Sequence, residues 1–245
     1  MNYTEIQETG TYYPIVDGKI TRETSTVSQS TQAICDELFK HLPLHLIQSI
    51  YVKGSRANNT FLPDSDLDIS IISSSMSNDT SHLEKIIHDK FNIELDCVIN
   101  KEMGLDPYER FNISCVYGTD QSLTSISVDD LPTITKTDIS TLVQAIKWCR
   151  YCYYRFEMKQ VLYYYKFLIK RYLRLTMLTT HHNIFTRDLY WCQHFIAKEY
   201  PQFDSITKQL LQLYLNPVIG GYNVMIGQTE DLLQHIISHE NEQSN

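Results

Sequence analysis

YVKGSRANNTFLPDSDLDISII, residues 51–72, is the stretch that decides the fold of this chain. It contains a small-residue turn, Gly54-Ser55, and then two aspartates, Asp66 and Asp68, at the start of an apolar run. Side chains alternate between the two faces of a strand, so the pattern predicts a strand whose two carboxylates share one face. The apolar side chains predicted to point the other way, into a core, are Leu67, Ile69 and Ile71.

The paired carboxylates indicate a site for a divalent cation and a phosphate. Two like charges on one sheet face repel each other unless a cation lies between them. Mg²⁺ prefers carboxylate oxygens and keeps open positions for phosphate oxygens. Gly54 allows the backbone to approach a ligand closely, and the N–H groups and hydroxyl of a Gly-Ser turn can hold a phosphate.

The spacing of these residues resembles a known signature. Gly54-Ser55, followed about ten residues later by Asp66-x-Asp68 at the head of a strand, is similar to the signature of the nucleotidyltransferase superfamily, which includes DNA polymerase beta and the aminoglycoside nucleotidyltransferases. The resemblance covers residues 46–120 and implies an α+β fold, with an N-terminal mixed sheet and flanking helices. The plain alternative is a surface turn followed by an acidic strand end.

A third carboxylate is predicted on the neighbouring strand. Residues 93–99, IELDCVI, alternate as a strand does, with Glu94 and Asp96 on the face opposite the apolar side chains. A short helical crossover would return this strand beside Asp66 and Asp68, and the resemblance implies a third acid there. Asp96 is the candidate, and an ordinary solvent-facing strand acid is the alternative.

Local patterns around the signature predict its neighbouring elements. Asp17-Gly18 predicts a hairpin turn between two short strands. The Ser/Thr-rich residues 24–31 supply the N-cap of a helix that ends before Pro43. Residues 82–91 have the apolar spacing of a helix, and residues 112–118 predict a further strand.

The second half of the chain has helical spacing almost throughout. Turn residues gather around 127–138, so we predict a catalytic domain at 1–130 and a C-terminal α-helical bundle at 131–245. The predicted helices are 139–155, 157–179, 185–199, 203–215 and 222–239.

One of these helices carries a basic stripe from Arg155 to Arg174. Such a stripe is often only a solvated helix face. The resemblance, however, implies a lysine from the helical domain against the triphosphate. Lys170 is the first choice for that lysine and Lys166 the second, while Arg56, directly behind the Gly-Ser turn, is a third candidate cation.

Composition narrows the class of protein. The 245 residues carry a formal net charge of −8, which disfavours broad, nonspecific nucleic-acid binding. The polar, acidic N-terminus does not have the pattern of a signal peptide, and no apolar run approaches membrane-spanning length, so a cytoplasmic protein is expected. Six cysteines lie among apolar neighbours and are predicted to be reduced thiols.

Together, residues and resemblance predict a Mg²⁺-dependent nucleotidyltransferase. It would move a nucleoside monophosphate, AMP by preference, from ATP or another NTP to a hydroxyl of a small molecule such as an aminoglycoside, a role in antibiotic resistance. The predicted catalytic residues, which would also bind one or two Mg²⁺ ions, are Asp66, Asp68 and Asp96. The predicted nucleotide-binding residues are Gly54, Ser55, Arg56, Lys170 and Lys166.

Two other functions stay open on the sequence. One is the transfer of AMP to a protein or an RNA, as small nucleotidyltransferases paired with toxins do. The other is a nucleotide-binding module without turnover, which the intact set of acids disfavours. Because members of the superfamily often place the cleft at a dimer interface, a homodimer is a further expectation.

Overall fold

The chain divides into two compact units. The computed structural model describes residues 12–23, 26–59, 61, 65–76, 79–132, 136–155, 157, 169–171, 173–174 and 183–215. One unit is Ile15–Pro132, and the other combines Met1–Pro14 with Thr133–Asn245. The predicted domains, 1–130 and 131–245, differ from these units mainly in the N-terminal residues, which belong with the C-terminal helices.

The unit Ile15–Pro132 contains the strands and helices around the signature. Its described strands are β1 (Tyr13–Val16, which begins two residues earlier), β2 (Lys19–Thr21), β3 (Ser49–Val52), β4 (Leu67–Ile72), β5 (Leu95–Asn100), β6 (Ser114–Gly118) and β7 (Ser125–Ser127). Its described helices are α1 (Gln29–Phe39), α2 (Gly54–Ala57), α3 (Ser81–Phe91) and α4 (Pro107–Phe111), with 3₁₀ turns at Leu44–Leu46 and Val128–Asp130.

A mixed sheet in the order β5-β4-β3-β6 forms the centre of this unit. β4 and β5 are parallel and are joined through α3, whereas β3 is antiparallel to both β4 and β6. This is the predicted α+β arrangement. The side chains that form the core on one face of the sheet come from α1, α3 and the strands, among them Ile34, Leu38, Leu67, Ile69, Ile71, Leu83 and Ile87.

Local backbone chemistry explains how the first elements begin and end. The predicted hairpin is confirmed: β1 and β2 pair antiparallel, and Asp17 and Gly18 both have positive φ, 50° and 70°. Two left-handed residues in succession match the right-handed twist of the flanking strands. Of the Ser/Thr-rich residues 24–31 that were predicted to supply the N-cap, the cap is Ser28, whose hydroxyl accepts from the Thr31 N–H at 3.2 Å and so begins α1.

The other unit is mainly helical where it is described. Its elements are α5 (Lys136–Tyr154), a short β8 (Ile184–Phe185), α6 (Leu189–Glu199) and α7 (Asp204–Leu215), with a 3₁₀ turn at Pro201–Phe203. Tyr13 and Pro14 pair with Phe185 and Ile184, which is why the N-terminal residues belong to this unit.

The predicted helices 139–155, 185–199 and 203–215 correspond to α5, α6 and α7. α6 starts later than predicted because residues 184–185 are extended and the Asp188 side chain caps the helix by accepting from the Trp191 N–H. Of the predicted helix 157–179, residues 157, 169–171 and 173–174 are described, and those at 169–171 and 173–174 are helical. The predicted helix 222–239 lies outside the described residues.

Two further sequence predictions concern the membrane and the cysteines. No helix among the described residues is long and apolar enough to cross a membrane. All six cysteines are free thiols, as predicted. Burial raises the pKa of Cys35 and of Cys97 to about 12, so these two thiols stay protonated at neutral pH.

Candidate active site

Asp66 and Asp68 lie on one face at the start of β4. The side chain of Asp66 is exposed and that of Asp68 is half-buried, whereas Leu67 and Ile69 between and after them are fully buried. Strand alternation therefore separates the two carboxylates from the core, as predicted. α1 and α3 cover the opposite face of the sheet, so the carboxylates point away from both helices.

Asp96 is the register partner of Asp68. The parallel pairing of β4 with β5 places Asp68 opposite Asp96 and Leu67 opposite Leu95. Leu95 is buried and Asp96 is exposed, so Asp96 lies on the same face as the two acids of β4. Neighbouring strands are about 4.8 Å apart, which makes these two aspartates direct neighbours across the sheet. The predicted crossover and the predicted placement of Asp96 are confirmed.

Gly54 lies directly against the Asp68 side chain. Its φ is +65°, a left-handed conformation that favours glycine. A Cβ added at Gly54 would overlap Asp68 Oδ2 and lie 3.2 Å from its Cγ. Any other residue at position 54 would therefore displace this carboxylate.

Gly54-Ser55, predicted as a turn, begins the short helix α2, and the Asn58 side chain donates to the Gly54 carbonyl at 2.9 Å.

Arg56 has a different environment from the one predicted. It was a candidate for phosphate binding, yet its side chain is 2% exposed. Its Nη2 donates to the Ser65 carbonyl at 2.7 Å, and its Nε donates to the Asp66 carbonyl at 3.0 Å. The guanidinium also lies over the Phe61 ring, 4.6 Å from its centroid. In this structure Arg56 holds the backbone that leads into β4, and its contact with a phosphate stays a prediction.

The electrostatics of Arg56 fit this structural role. Burial lowers the pKa of Arg56, while the nearby Asp66 carboxylate raises it. A buried guanidinium needs acceptors, and the main-chain oxygens of residues 65 and 66 supply them. The guanidinium of Arg56 thus donates to acceptors within the protein, next to Asp66, one of the candidate metal ligands.

The predicted basic stripe is described only in part. Lys166 lies outside the described residues. Lys170 is half-buried in a helical segment of the C-terminal unit, and its contact with a triphosphate stays a prediction. At the two ends of the stripe, Arg155 Nε pairs with Glu157 at 2.7 Å and Arg174 Nε donates to the Arg187 carbonyl at 3.1 Å.

Two of the three aspartates, Asp66 and Asp68, suit Mg²⁺ by their chemistry. Within the described part of the chain, no group of three or more His, Cys, Asp or Glu side chains is arranged to hold a metal ion. Mg²⁺ does not require such a protein cage, because it is commonly held by one or two carboxylates together with phosphate oxygens and water. Asp66 and Asp68, two hard oxygen donors on one face, match that requirement.

The sequence prediction missed Lys53. β3 ends at Val52, but the Lys53 N–H donates to the Asp68 carbonyl at 2.8 Å, so the pairing of β3 with β4 continues for one more residue. The signal that could have found it is the alternation itself. Tyr51, Lys53 and the acids share a face if the strand is extended by one position.

The sequence model of the nucleotidyltransferase domain matches residues 33–116. The chain contains a nucleotidyltransferase domain. The matched residues run from α1 to β6 and include Gly54, Asp66, Asp68 and Asp96, so the family match and the carboxylate face coincide. The family match therefore agrees with the resemblance of the Gly54-Ser55 and Asp66-x-Asp68 signature to the nucleotidyltransferases.

Two further comparisons accompany the family match. The chain is similar to the crystal structure of spectinomycin adenyltransferase AAD(9) from Enterococcus faecialis with ATP and spectinomycin, at 16% identity and a TM-score of 0.48. That alignment covers 84% of this chain and 99% of the other. No curated protein sequence matches the chain.

Proposed function

We propose that this protein transfers a nucleoside monophosphate from an NTP, with ATP as the favoured donor, to a hydroxyl group of a small-molecule acceptor. The observation that carries the proposal is the pairing of Asp68 with Asp96 on one sheet face, beside Asp66 and Gly54. These residues lie within the nucleotidyltransferase domain. An aminoglycoside is the acceptor class that we propose to test first.

In the proposed reaction an acceptor hydroxyl oxygen attacks the α-phosphorus of the NTP. The bond between the α-phosphorus and the bridging oxygen breaks, and pyrophosphate leaves with that oxygen. Asp96 takes the hydroxyl proton as general base, since its carboxylate is exposed on the reactive face. The small Gly54 leaves room for the Asp68 carboxylate. The backbone of Gly54 and Ser55 and the Ser55 hydroxyl are proposed to bind the β- and γ-phosphates.

The proposed metal ligands are Asp66 and Asp68, with Asp96 as a third. A Mg²⁺ ion held there would neutralise phosphate charge and polarise the phosphoryl group. The contribution of the chain is to fix the acids before substrate arrives. Strand pairing fixes Asp68 and Asp96, and the bonds from Arg56 to the carbonyls of Ser65 and Asp66 fix the residues ahead of β4.

The test is pyrophosphate release from ATP, GTP, CTP and UTP in the presence of Mg²⁺ and a panel of aminoglycosides as hydroxyl acceptors. Asp66→Asn and Asp68→Asn should each reduce the rate by orders of magnitude, because each removes one oxygen anion from the site while keeping the size of the side chain. Thermal unfolding establishes that both variants are folded. Wild-type turnover in both folded variants would refute the proposed site.

The class of acceptor is identified by which pool of molecules becomes labelled. The protein is incubated with α-labelled NTP, Mg²⁺ and separate pools of aminoglycosides, cell protein and RNA. We expect label in the small-molecule pool. Label confined to protein or to RNA would replace the proposed acceptor while leaving nucleotidyl transfer intact.

A further inference from the structure

Lys53 is placed beside the acids by the backbone rather than by any motif. Its φ and ψ, −117° and −178°, are extended, and its N–H donates to the Asp68 carbonyl at 2.8 Å. This bond continues the β3–β4 register by one position beyond the pair Val52 and Ile69. Lys53 is therefore the residue opposite Asp68 on the antiparallel side of β4.

Alternation along β3 shows which face Lys53 is on. Val52 belongs to the core covered by α1 and α3, on the face opposite the acids. Tyr51 pairs with Ser70, two residues after Asp68, and packs in a separate cluster with Ile72. Lys53 follows Val52 and so shares its face with Tyr51 and Asp68. Its side chain is half-buried.

Three neighbouring strands thus present a cation and two acids in one row. Lys53 on β3 is opposite Asp68 on β4, which is opposite Asp96 on β5. Directly opposed side chains across an antiparallel pair have Cβ atoms about 4.5–5.5 Å apart. A lysine ammonium at this position is within the reach of any ligand that contacts the Asp68 side chain.

A triphosphate that binds beside this row needs positive charge near the acids. A triphosphate brought to a face with three carboxylates meets like charge, and a compact ammonium beside the acids offsets it. Arg56, the other cation of the signature, already donates to main-chain carbonyls. Among the described residues, Lys53 is a cation that strand pairing itself places on this face.

We propose that Lys53 binds the phosphates of the nucleotide co-substrate from within the nucleotidyltransferase domain. The inference rests on the proposed function in assuming a triphosphate on the acid face. Lys53 would make a phosphate contact from the central sheet. From the sequence, such a contact was predicted for Lys170 or Lys166.

The test is equilibrium binding of α,β-methylene-ATP, whose α–β linkage cannot be cleaved, by calorimetry in Mg²⁺. Lys53→Met and Lys53→Gln should each weaken binding by about tenfold or more, because a charge-assisted contact is lost. Lys53→Arg keeps the charge and should stay within about threefold of wild type. The matched control is Lys85→Met, which removes one exposed lysine from α3, on the other side of the sheet, and should bind as wild type does.

Two results separate this inference from the proposed function. Wild-type affinity in both Lys53→Met and Lys53→Gln would overturn the role of Lys53, as would a loss in Lys53→Arg equal to that in Lys53→Met. Binding that depends on Lys53, without pyrophosphate release from ATP in the presence of any of the aminoglycoside, protein or RNA pools, would uphold Lys53 and refute the catalytic proposal. A wild-type protein that binds no triphosphate would refute both.

Discussion

Arg56 Nε donates to the main-chain oxygen of Asp66 at 3.0 Å. This bond joins the two halves of the signature, since Arg56 follows Gly54-Ser55 and Asp66 precedes β4. A second bond, from Nη2 to the Ser65 carbonyl, fixes the same backbone. The position of the first candidate metal ligand is therefore set by a buried side chain from α2 as well as by strand pairing.

Removing this side chain should reduce both stability and turnover. Arg56→Ala leaves buried carbonyls without a donor, and we expect unfolding free energy to fall by about 2–3 kcal/mol. Arg56→Lys restores the charge but lacks the planar pair of donors, so it should recover only part of that loss. Urea unfolding and pyrophosphate release, each measured on both variants, report the two effects.

Arg155→Ala is the surface control, because Arg155 pairs with Glu157 in an exposed position. It should unfold at the same urea concentration as wild type. A different pattern in Arg56→Ala would assign Arg56 to phosphate binding instead. That pattern is an unchanged unfolding midpoint with a raised KM for ATP.

Glu37 on α1 provides a pH-dependent link to α3. Its Oε2 accepts from Lys40 at 2.6 Å and from Lys90, on α3, at 2.7 Å. Hydrogen bonds from these lysines, Lys40 first, lower the pKa of Glu37 to about 2 from its usual value of 4.5. A depressed folded-state pKa gives stability that is complete above the unfolded-state pKa and is lost as pH falls toward the folded-state value.

The midpoint of thermal unfolding of Glu37→Gln should therefore lie below that of wild type near neutral pH, with the gap closing as pH falls through the range from 4.5 toward 2. High salt should narrow the gap at neutral pH, since the ion pairs are near the surface. Lys90→Met tests the link to α3 by removing one of the two lysine partners of Glu37. A gap that stays constant over this pH range would rule out the ion pairs as its cause.

Local periodicity explains what could be predicted from the sequence. The faces of β4 and β5, the hairpin at Asp17-Gly18 and the N-cap at Ser28 depend on alternation and turn chemistry within a few residues. The neighbouring positions of Asp68 and Asp96 also followed, because a short helical crossover between strands favours a parallel pair. These inferences needed no knowledge of distant contacts.

The remaining features depend on long-range partners that periodicity does not encode. Arg56 is buried because the carbonyls of residues 65 and 66 need a donor, whereas an arginine is ordinarily expected at the surface. The pairing of Tyr13 with Phe185 joins residues far apart in the chain and moves the N-terminus to the helical unit. Lys53 was missed by a single position at a strand end, where boundaries are least certain from sequence.

Asp96 can be distinguished from an ordinary strand acid by its effect on turnover. If Asp96 is the general base, Asp96→Asn should lower kcat by about 10²–10⁴-fold with a much smaller change in KM for ATP. The control is Asp89→Asn, which alters an exposed acid on α3, the helix on the opposite face of the sheet. Steady-state kinetics on both variants make the comparison. Equal kcat values would show that Asp96 is an ordinary solvent-facing acid and not the general base.

Gly54 and Gly18 form a matched pair for testing the contact with Asp68. Both have left-handed φ, +65° and +70°, so alanine at either position costs about 1–2 kcal/mol in backbone strain. They differ in what a Cβ would meet. At Gly54 it overlaps the Asp68 carboxylate, whereas at Gly18 the nearest atom is Val128 Cγ2 at 4.0 Å.

Gly54→Ala and Gly18→Ala should therefore lose similar stability but differ in activity. The Gly54 variant displaces a proposed metal ligand and should release pyrophosphate at least about tenfold more slowly, because small displacements at a reacting centre are costly. The Gly18 variant should keep its rate per folded molecule. Mg²⁺ titration of the rate adds a second measurement, since a displaced Asp68 should raise the Mg²⁺ concentration needed for half-maximal activity only in Gly54→Ala. Equal rates and equal Mg²⁺ requirements in the two variants would mean that activity does not depend on the position of the Asp68 carboxylate beside Gly54.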